Sequence, residues 1–250
     1  KKIYNKGLSK MDHLVAISEY VKETVVKKYN LTTNNITVIN RGIDTAYFNQ
    51  TLDDGTRDNI INTHQIDTAK KIILFPGRIT SWKGQLEFID VIKKMDNQNV
   101  LILFAGDTKN KSYTKLVRDK IIKNNLEGTF KILGNVNQDE MRSLYQVADL
   151  SVSFPLRAEG FGRTVSESLY SKTPVLAFDY GGVKNQLANL SDIFKIKPQD
   201  YASLPKKIEK LLSLPEGQKK EALHDAQLEI ESNFSKLNMV NQYLKLYESV

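Results

Sequence analysis

Two short stretches carry side chains whose types and spacing could do chemistry. PGRITSWKG, residues 76–84, sets Arg78 and Lys83 five positions apart between Gly77 and Gly84. Two cations at such a turn can clamp a diphosphate. Arg offers a planar fork for paired phosphate oxygens and Lys a compact point charge, and both can stabilise charge gathering on a departing nucleoside diphosphate. The alternative is a pair of solvated surface cations flanking a turn. PLRAEGFGRTVSESLY, residues 155–170, holds Glu159 and Glu167 eight positions apart. In one unbroken helix they would project from nearly the same face about 12 Å apart. Gly160 and Gly162 argue against that helix and put Glu159 in a loop and Glu167 within the helix that follows. Both carboxylates can then reach one ligand lying over the helix start and accept the vicinal hydroxyls of a ribose or a hexose. The backbone amides of Gly162, Arg163, Thr164 and Val165 would point at that ligand, which suits a phosphate. A surface glutamate in a loop and another on a helix face are the alternative. A third signal is Gly134 in LGNVNQDE, where a tight turn leaves backbone groups that could read a base edge; a glycine that only ends a strand explains it as well.

These residues need a frame. Between Lys71 and Phe178, apolar runs alternate with amphipathic stretches of helix length, the pattern of βαβ units and a parallel sheet. The strand candidates are KIILF, NVLILFA, TFKIL, DLSVSF and PVLAF, and their near-continuous apolarity suits strands covered by helices on both faces. Helices are expected around residues 84–95, 112–124, 138–147 and 164–172, the third opened by a capping box of Asn137 and Glu140. The fold class is therefore α/β, a Rossmann-like doubly wound parallel sheet. In such sheets ligands bind beyond the carboxyl ends of the strands, where all three signals fall. Upstream, HLVAIS reads as a strand, SEYVKETVVKKYN as a helix and NITVIN as a second strand. Residues 49–70 are polar and weakly patterned, a loop or a short helical crossing. From about Tyr201 the chain reads as helices, with Pro205 in a first turn where it is tolerated. The expected organisation is 1–45 as the end of a preceding domain with its connection, 46–70 as linker, 71–200 as the ligand-binding domain and 201–250 as helices packing on or across the domains.

Composition narrows the classes. With 250 residues, 40% apolar and 26% charged, the chain can bury a core and lies outside the disordered regime. A net charge of +7 favours anionic partners: nucleotide diphosphates, an acidic membrane surface or nucleic acid. Nucleic acid is disfavoured, because the cations are scattered among acids without aromatic and basic clustering. The absence of cysteine excludes disulfides and thiolate metal sites and is compatible with a reducing compartment. No run of about 18 apolar residues offers a membrane span. The start lacks Met and the apolar stretch of a secretory signal, and reads like the interior of a longer chain. His13, His64 and His224 read as strand-edge, linker and helix-surface residues.

Taken in order, the segments resemble the retaining glycosyltransferases grouped as family 4. FPGRITSWKG resembles its GR…KG element, LFAGD a hydrophobic strand ending in Gly, and ILGNV…LYQVADLSVSF the stretch before the signature. EGFGRTVSE resembles the E-x7-E signature itself, and TPVLAFDYGG the strand and Gly-Gly turn after it. HLVAISEYVKE and VINRGIDTAYF resemble the end of the N-terminal domain and the interdomain connection, so the resemblance spans about residues 11–185. It implies the C-terminal, nucleotide-sugar-binding half of a GT-B fold. Carried over residue by residue, it implies that Arg78 and Lys83 hold the diphosphate and assist its departure, with Gly77 beside them, and that Glu159, Gly160, Phe161 and Gly162 contact the transferred sugar. Arg78, Lys83 and Glu159 would be the catalytic residues. Glu167 would hold the ribose hydroxyls, the backbone near Gly134 the base, and Thr164 and Val165 the phosphates. The implied reaction is hexose transfer with retention, without an obligatory metal or other cofactor. It would serve bacterial cell-surface polysaccharide or lipopolysaccharide synthesis in the cytoplasm, with a peripheral contact at the inner membrane face. The partners implied are a nucleotide-sugar donor and a saccharide or lipid-linked acceptor held by an N-terminal domain that this sequence does not contain, so that catalysis would require that domain. One departure is Asn185, where the family usually carries an acidic residue three positions after the Gly-Gly turn. It leaves a non-catalytic nucleotide-sugar-binding module as the alternative.

Overall fold

The computed structural model describes residue 7 and residues 11–95 and 99–249; the opening residues 1–6 and 8–10 of the expected first segment lie outside the described residues. Six strands form one wholly parallel sheet: β3 (Lys71–Pro76), β4 (Val100–Ala105), β5 (Phe130–Gly134), β6 (Leu150–Ser153), β7 (Val175–Phe178) and β8 (Lys195–Ile196). Their spatial order is β5-β4-β3-β6-β7-β8. This is the doubly wound order in which the chain runs outward from β3 to one edge, then returns to its other side and runs to the opposite edge. The crevice between β3 and β6 is the switch point, and the Arg78/Lys83 segment and the Glu159 segment are the two that follow those strands.

Side chains alternate across the sheet. On one face Ile73, Phe75, Ile102 and Phe104 pack with Phe88 and Ile89 of α4 (Gln85–Ile92), Val117 of α5 (Lys111–Lys123) and Val183 of α8 (Gly182–Leu187). On the other, Ile72, Leu74, Leu101 and Leu103 pack with Ile60 of α3 (Asp54–Thr63), Leu144 and Tyr145 of α6 (Gln138–Val147) and Ile230 of α10 (Glu216–Phe234). Burial on both faces is why these strands read as continuous apolar runs. Phe75 meets Phe104 and Phe88 edge-on, each at 5.4 Å between ring centres, and these three rings wedge the sheet beneath the crevice. The Asn137–Glu140 capping box forms at the start of α6, and Pro205 sits in the first turn of α9 (Leu204–Leu212).

The upstream segment folds as expected, into β1 (Leu14–Ala16), α1 (Glu19–Tyr29) and β2 (Ile36–Val38), with β1 and β2 paired in parallel. The polar stretch before β3 contains the ten-residue α3, with Asp53 accepting from the Thr56 backbone as N-cap. Sequence patterning missed the smaller pieces: α2 (Thr45–Phe48), the six-residue α8, and β8 with only two residues. None is long enough to show a period. The last helices, α10 and α11 (Lys236–Ser249), meet at a junction that holds the connection after β2. Ile43 N–H donates to Phe234 O at 2.8 Å and Lys236 N–H to Ile43 O at 2.7 Å. Among the described residues no helix is long and apolar enough to cross a membrane.

Candidate functional site

At the switch point a cavity of about 630 Å³ is lined by Arg78, Trp82 and Lys83 from the turn after β3, and by Ala158 to Thr164 from the segment after β6. Ile17 and Arg41 complete it from the upstream segment. Lys83 Nζ meets Glu159 Oε1 at 2.5 Å, and both side chains keep only 11% of their surface exposed. A charge pair so far removed from water holds its geometry, because separating it would leave an uncompensated charge in a poorly solvated place. Glu159 Oε2 is buried and, among the described residues, has no hydrogen-bond partner. One lone-pair edge of the carboxylate is therefore open to a hydroxyl. Lys83 also lies over the Trp82 ring at 4.8 Å, and Arg78 stands 6.0 Å from the same ring. Gly77 runs beneath Lys83, where a Cβ would come within 3.4 Å of Nζ. The buried Gln85 fixes the turn by donating to Arg78 O at 3.0 Å.

The loop carrying Glu159 is held from three sides. Ser18 Oγ donates to Gly160 O at 2.6 Å, Gly182 N–H donates to Glu159 O at 2.8 Å, and the buried Gln186 side chain donates to Phe161 O. Gly162 then turns the chain into α7 (Arg163–Tyr170) at φ +85°, in the left-handed region, and a Cβ there would overlap the Val183 side chain. Thr164 Oγ1 is buried at the cavity wall and, among the described residues, has no partner. The Val165 N–H is committed to Gly162 O at 3.0 Å and its side chain is fully buried.

Glu167 stands elsewhere than Glu159. It lines a second hollow of about 340 Å³ with Phe48, Val136, Asn137, Gln138 and Met141; Arg163 and Thr164 line both hollows. Its carboxylate is 7% exposed and oriented by two side chains. Arg163 donates to Oε1 from Nε at 2.9 Å and Nη2 at 2.6 Å, and Tyr145 donates to Oε2 at 3.1 Å. Burial, and then the Glu167 charge, push the Tyr145 phenol well above its ordinary range, so it stays a neutral donor. Gly134 is not on the wall of this hollow. Its carbonyl accepts from Gly106 N–H at 2.8 Å, and it turns the chain so that Val136 to Gln138 reach the wall.

The two glutamates thus line neighbouring hollows, with Arg163 and Thr164 lining both. Sequence reading brought Arg78, Lys83, Glu159 and Glu167 to one region. It missed Trp82, Tyr145, Gln186, Ser18 and Arg41. Arg163, four positions before Glu167 on a helix, had a spacing that could have announced the pair; Arg41 had no such signal. The histidines stay apart from the groove: His13 bonds Thr37 at 2.9 Å, His64 lies 3.6 Å from Glu140, and His224 is exposed on α10.

A doubly wound parallel sheet with cations and a paired carboxylate at its switch point has the architecture of the C-terminal half of a GT-B glycosyltransferase. The sequence profile of the glycosyl transferases group 1 matches residues 56–226, and the chain belongs to that family. It is 24% identical over 236 residues to the uncharacterized glycosyltransferase MJ1607 of Methanocaldococcus jannaschii, covering 94% of this chain and 59% of that protein. Other curated relatives are named trehalose synthase and O-antigen chain mannosyltransferase. Among solved structures, a glycosyltransferase from Rickettsia africae ESF-5 superposes with a TM-score of 0.90 at 29% identity, over 99% of this chain and 66% of the other. Anabaena Alr3699/HepE, in complex with UDP and glucose, gives 0.87 at 20% identity, over 100% and 66%. The chain therefore spans about three fifths of the curated relative and two thirds of these solved chains.

Proposed function

We propose that this chain binds a nucleotide-diphosphate sugar along the two-lobed groove. As part of the whole protein, it transfers the hexose, with retention at the anomeric carbon, to a saccharide or lipid-linked acceptor in cell-surface polysaccharide synthesis at the cytoplasmic face of the membrane. The observation that carries the reading is the Lys83–Glu159 pair beside Arg78, joined through Arg163 and Thr164 to the lobe holding Glu167. The nucleoside lies in the smaller lobe, its ribose against Glu167. The diphosphate crosses the Arg163–Thr164 wall, and the hexose lies against Glu159 and the Gly160–Gly162 backbone in the larger lobe. Arg78 and Lys83 stabilise the negative charge that grows on the departing nucleoside diphosphate. Because these cations already meet that charge, we propose no obligatory metal. The UDP and glucose bound by HepE support a sugar nucleotide as the ligand class. The acceptor side belongs to the part of the longer relatives that this chain does not span.

Calorimetric titration of the chain with UDP, GDP and ADP tests the reading. Binding of at least one is expected, weakened in Arg78→Ala and in Glu167→Ala. Binding of none, or binding that neither substitution changes, refutes it.

A further inference from the structure

The charges around the larger lobe do not balance. Four cationic side chains line it: Arg41, Arg78, Lys83 and Arg163. Lys83 is committed to Glu159 and Arg163 to Glu167. Among the described residues Arg41 and Arg78 have no acidic partner, so the lobe holds two uncompensated positive charges. The esterified diphosphate of a nucleotide sugar carries one negative charge on each phosphate, the complement of that pair.

Arg41 is placed there by its backbone. It follows β2 in the connection, and its own N–H donates to Ile17 O at 3.3 Å. On one side Ile39 N–H holds Ala16 O at 3.0 Å. On the other, Gly42 N–H donates to Met239 Sδ at 3.3 Å and Ile43 is bonded in both directions to the α10–α11 junction. The residue is pinned to three elements while its side chain is exposed, so its charge is kept at the cavity mouth with little loss of hydration. Guanidinium groups suit this role because they keep their charge at any working pH and bind phosphate oxygens through paired donors.

We propose that Arg41 is a binding residue for the donor diphosphate, acting with Arg78 as the second uncompensated cation while Lys83 remains on Glu159 until charge develops on the leaving group. This rests on the reading of the groove as a nucleotide-sugar site. It assigns a donor contact to the connection segment, which Ile43 ties to the last helices.

The test compares wild type, Arg41→Gln and Arg41→Lys by calorimetry, using whichever of UDP, GDP and ADP the wild type binds and the matching nucleoside. Arg41→Gln should weaken diphosphate binding about tenfold, the usual worth of one charge-assisted hydrogen bond. It should leave the nucleoside unaffected and flatten the dependence of affinity on salt, whereas Arg41→Lys should keep most of both. In the wild-type chain, phenylglyoxal labelling mapped by mass spectrometry should show Arg41 protected by the nucleoside diphosphate and not by the nucleoside; this arm decides the matter if Arg41→Gln folds poorly. Diphosphate affinity in Arg41→Gln within twofold of wild type, or equal labelling of Arg41 with and without the diphosphate, overturns the proposal and leaves the site reading standing. A wild-type chain that binds none of the three diphosphates overturns both.

Discussion

Replacing Lys83 by Met keeps much of the side-chain volume and removes the charge, and the structure sets the size of the effect. At 2.5 Å and an effective dielectric of about 20, the attraction to Glu159 is about 7 kcal/mol. Stripping water from two side chains that keep only 11% exposure offsets most of that, leaving a net pair worth about 2 kcal/mol. Lys83→Met forfeits that net contribution and also strands the Glu159 carboxylate, so it should lose about 3–5 kcal/mol of stability, a fall of about 6–20 °C in Tm for a chain of this size. Urea unfolding of wild type, Lys83→Met, Glu159→Gln and the double variant forms a thermodynamic cycle. The double variant should be more stable than the sum of the single losses implies, by about 1–2 kcal/mol, because the stranded carboxylate is gone. Salt near 1 M should change this coupling little, since the pair is shielded from the ions that screen surface charges. The same Lys83→Met variant should bind nucleoside diphosphate more weakly. A stability loss under about 0.5 kcal/mol, or strictly additive effects, would show that the pair is as loose as a surface ion pair and that Glu159 is not held for a ligand.

Other expectations follow from single contacts. Gly162→Ala forces an L side chain into the left-handed region against Val183 and should cost about 2–4 kcal/mol in chemical denaturation, with loss of nucleotide binding; a cost near zero would mean that the loop has room to relax. Asn137→Ala removes the capping box of α6 and should cost about 1 kcal/mol by thermal unfolding, a result that an unchanged Tm would contradict. Burial comes first among the causes that raise the Tyr145 phenol well above its usual range and the Tyr47, Tyr113, Tyr170, Tyr180 and Tyr201 phenols to about 12. The folded state therefore holds these protons more tightly than the unfolded one. The stability they confer is present in full below pH 10 and is lost as pH rises through about 12. Absorbance titration should show Tyr145 ionising only with alkaline unfolding and the other five only near pH 12, and early reversible ionisation of all eleven tyrosines would count against the burial described.

The sequence by itself determined the parallel sheet, because strands buried on both faces must be apolar throughout: KIILF and NVLILFA could be little else. It also determined the cationic turn and the break of helix between Glu159 and Glu167, since glycines at 160 and 162 act on the local backbone. What it left open depends on contacts between distant parts of the chain. Tertiary structure alone put Glu159 on Lys83 and Glu167 beneath Tyr145, dividing two carboxylates that could have shared one ligand face between two hollows. It brought Arg41 to the cavity through its own bond to Ile17 and those of nearby Ile43 to the α10–α11 junction, elements far from it in sequence. Local residue types fix φ, ψ and periodicity within a few residues; which charges finally share a cavity is decided by how the strands are ordered, and strand order is not written in any one segment.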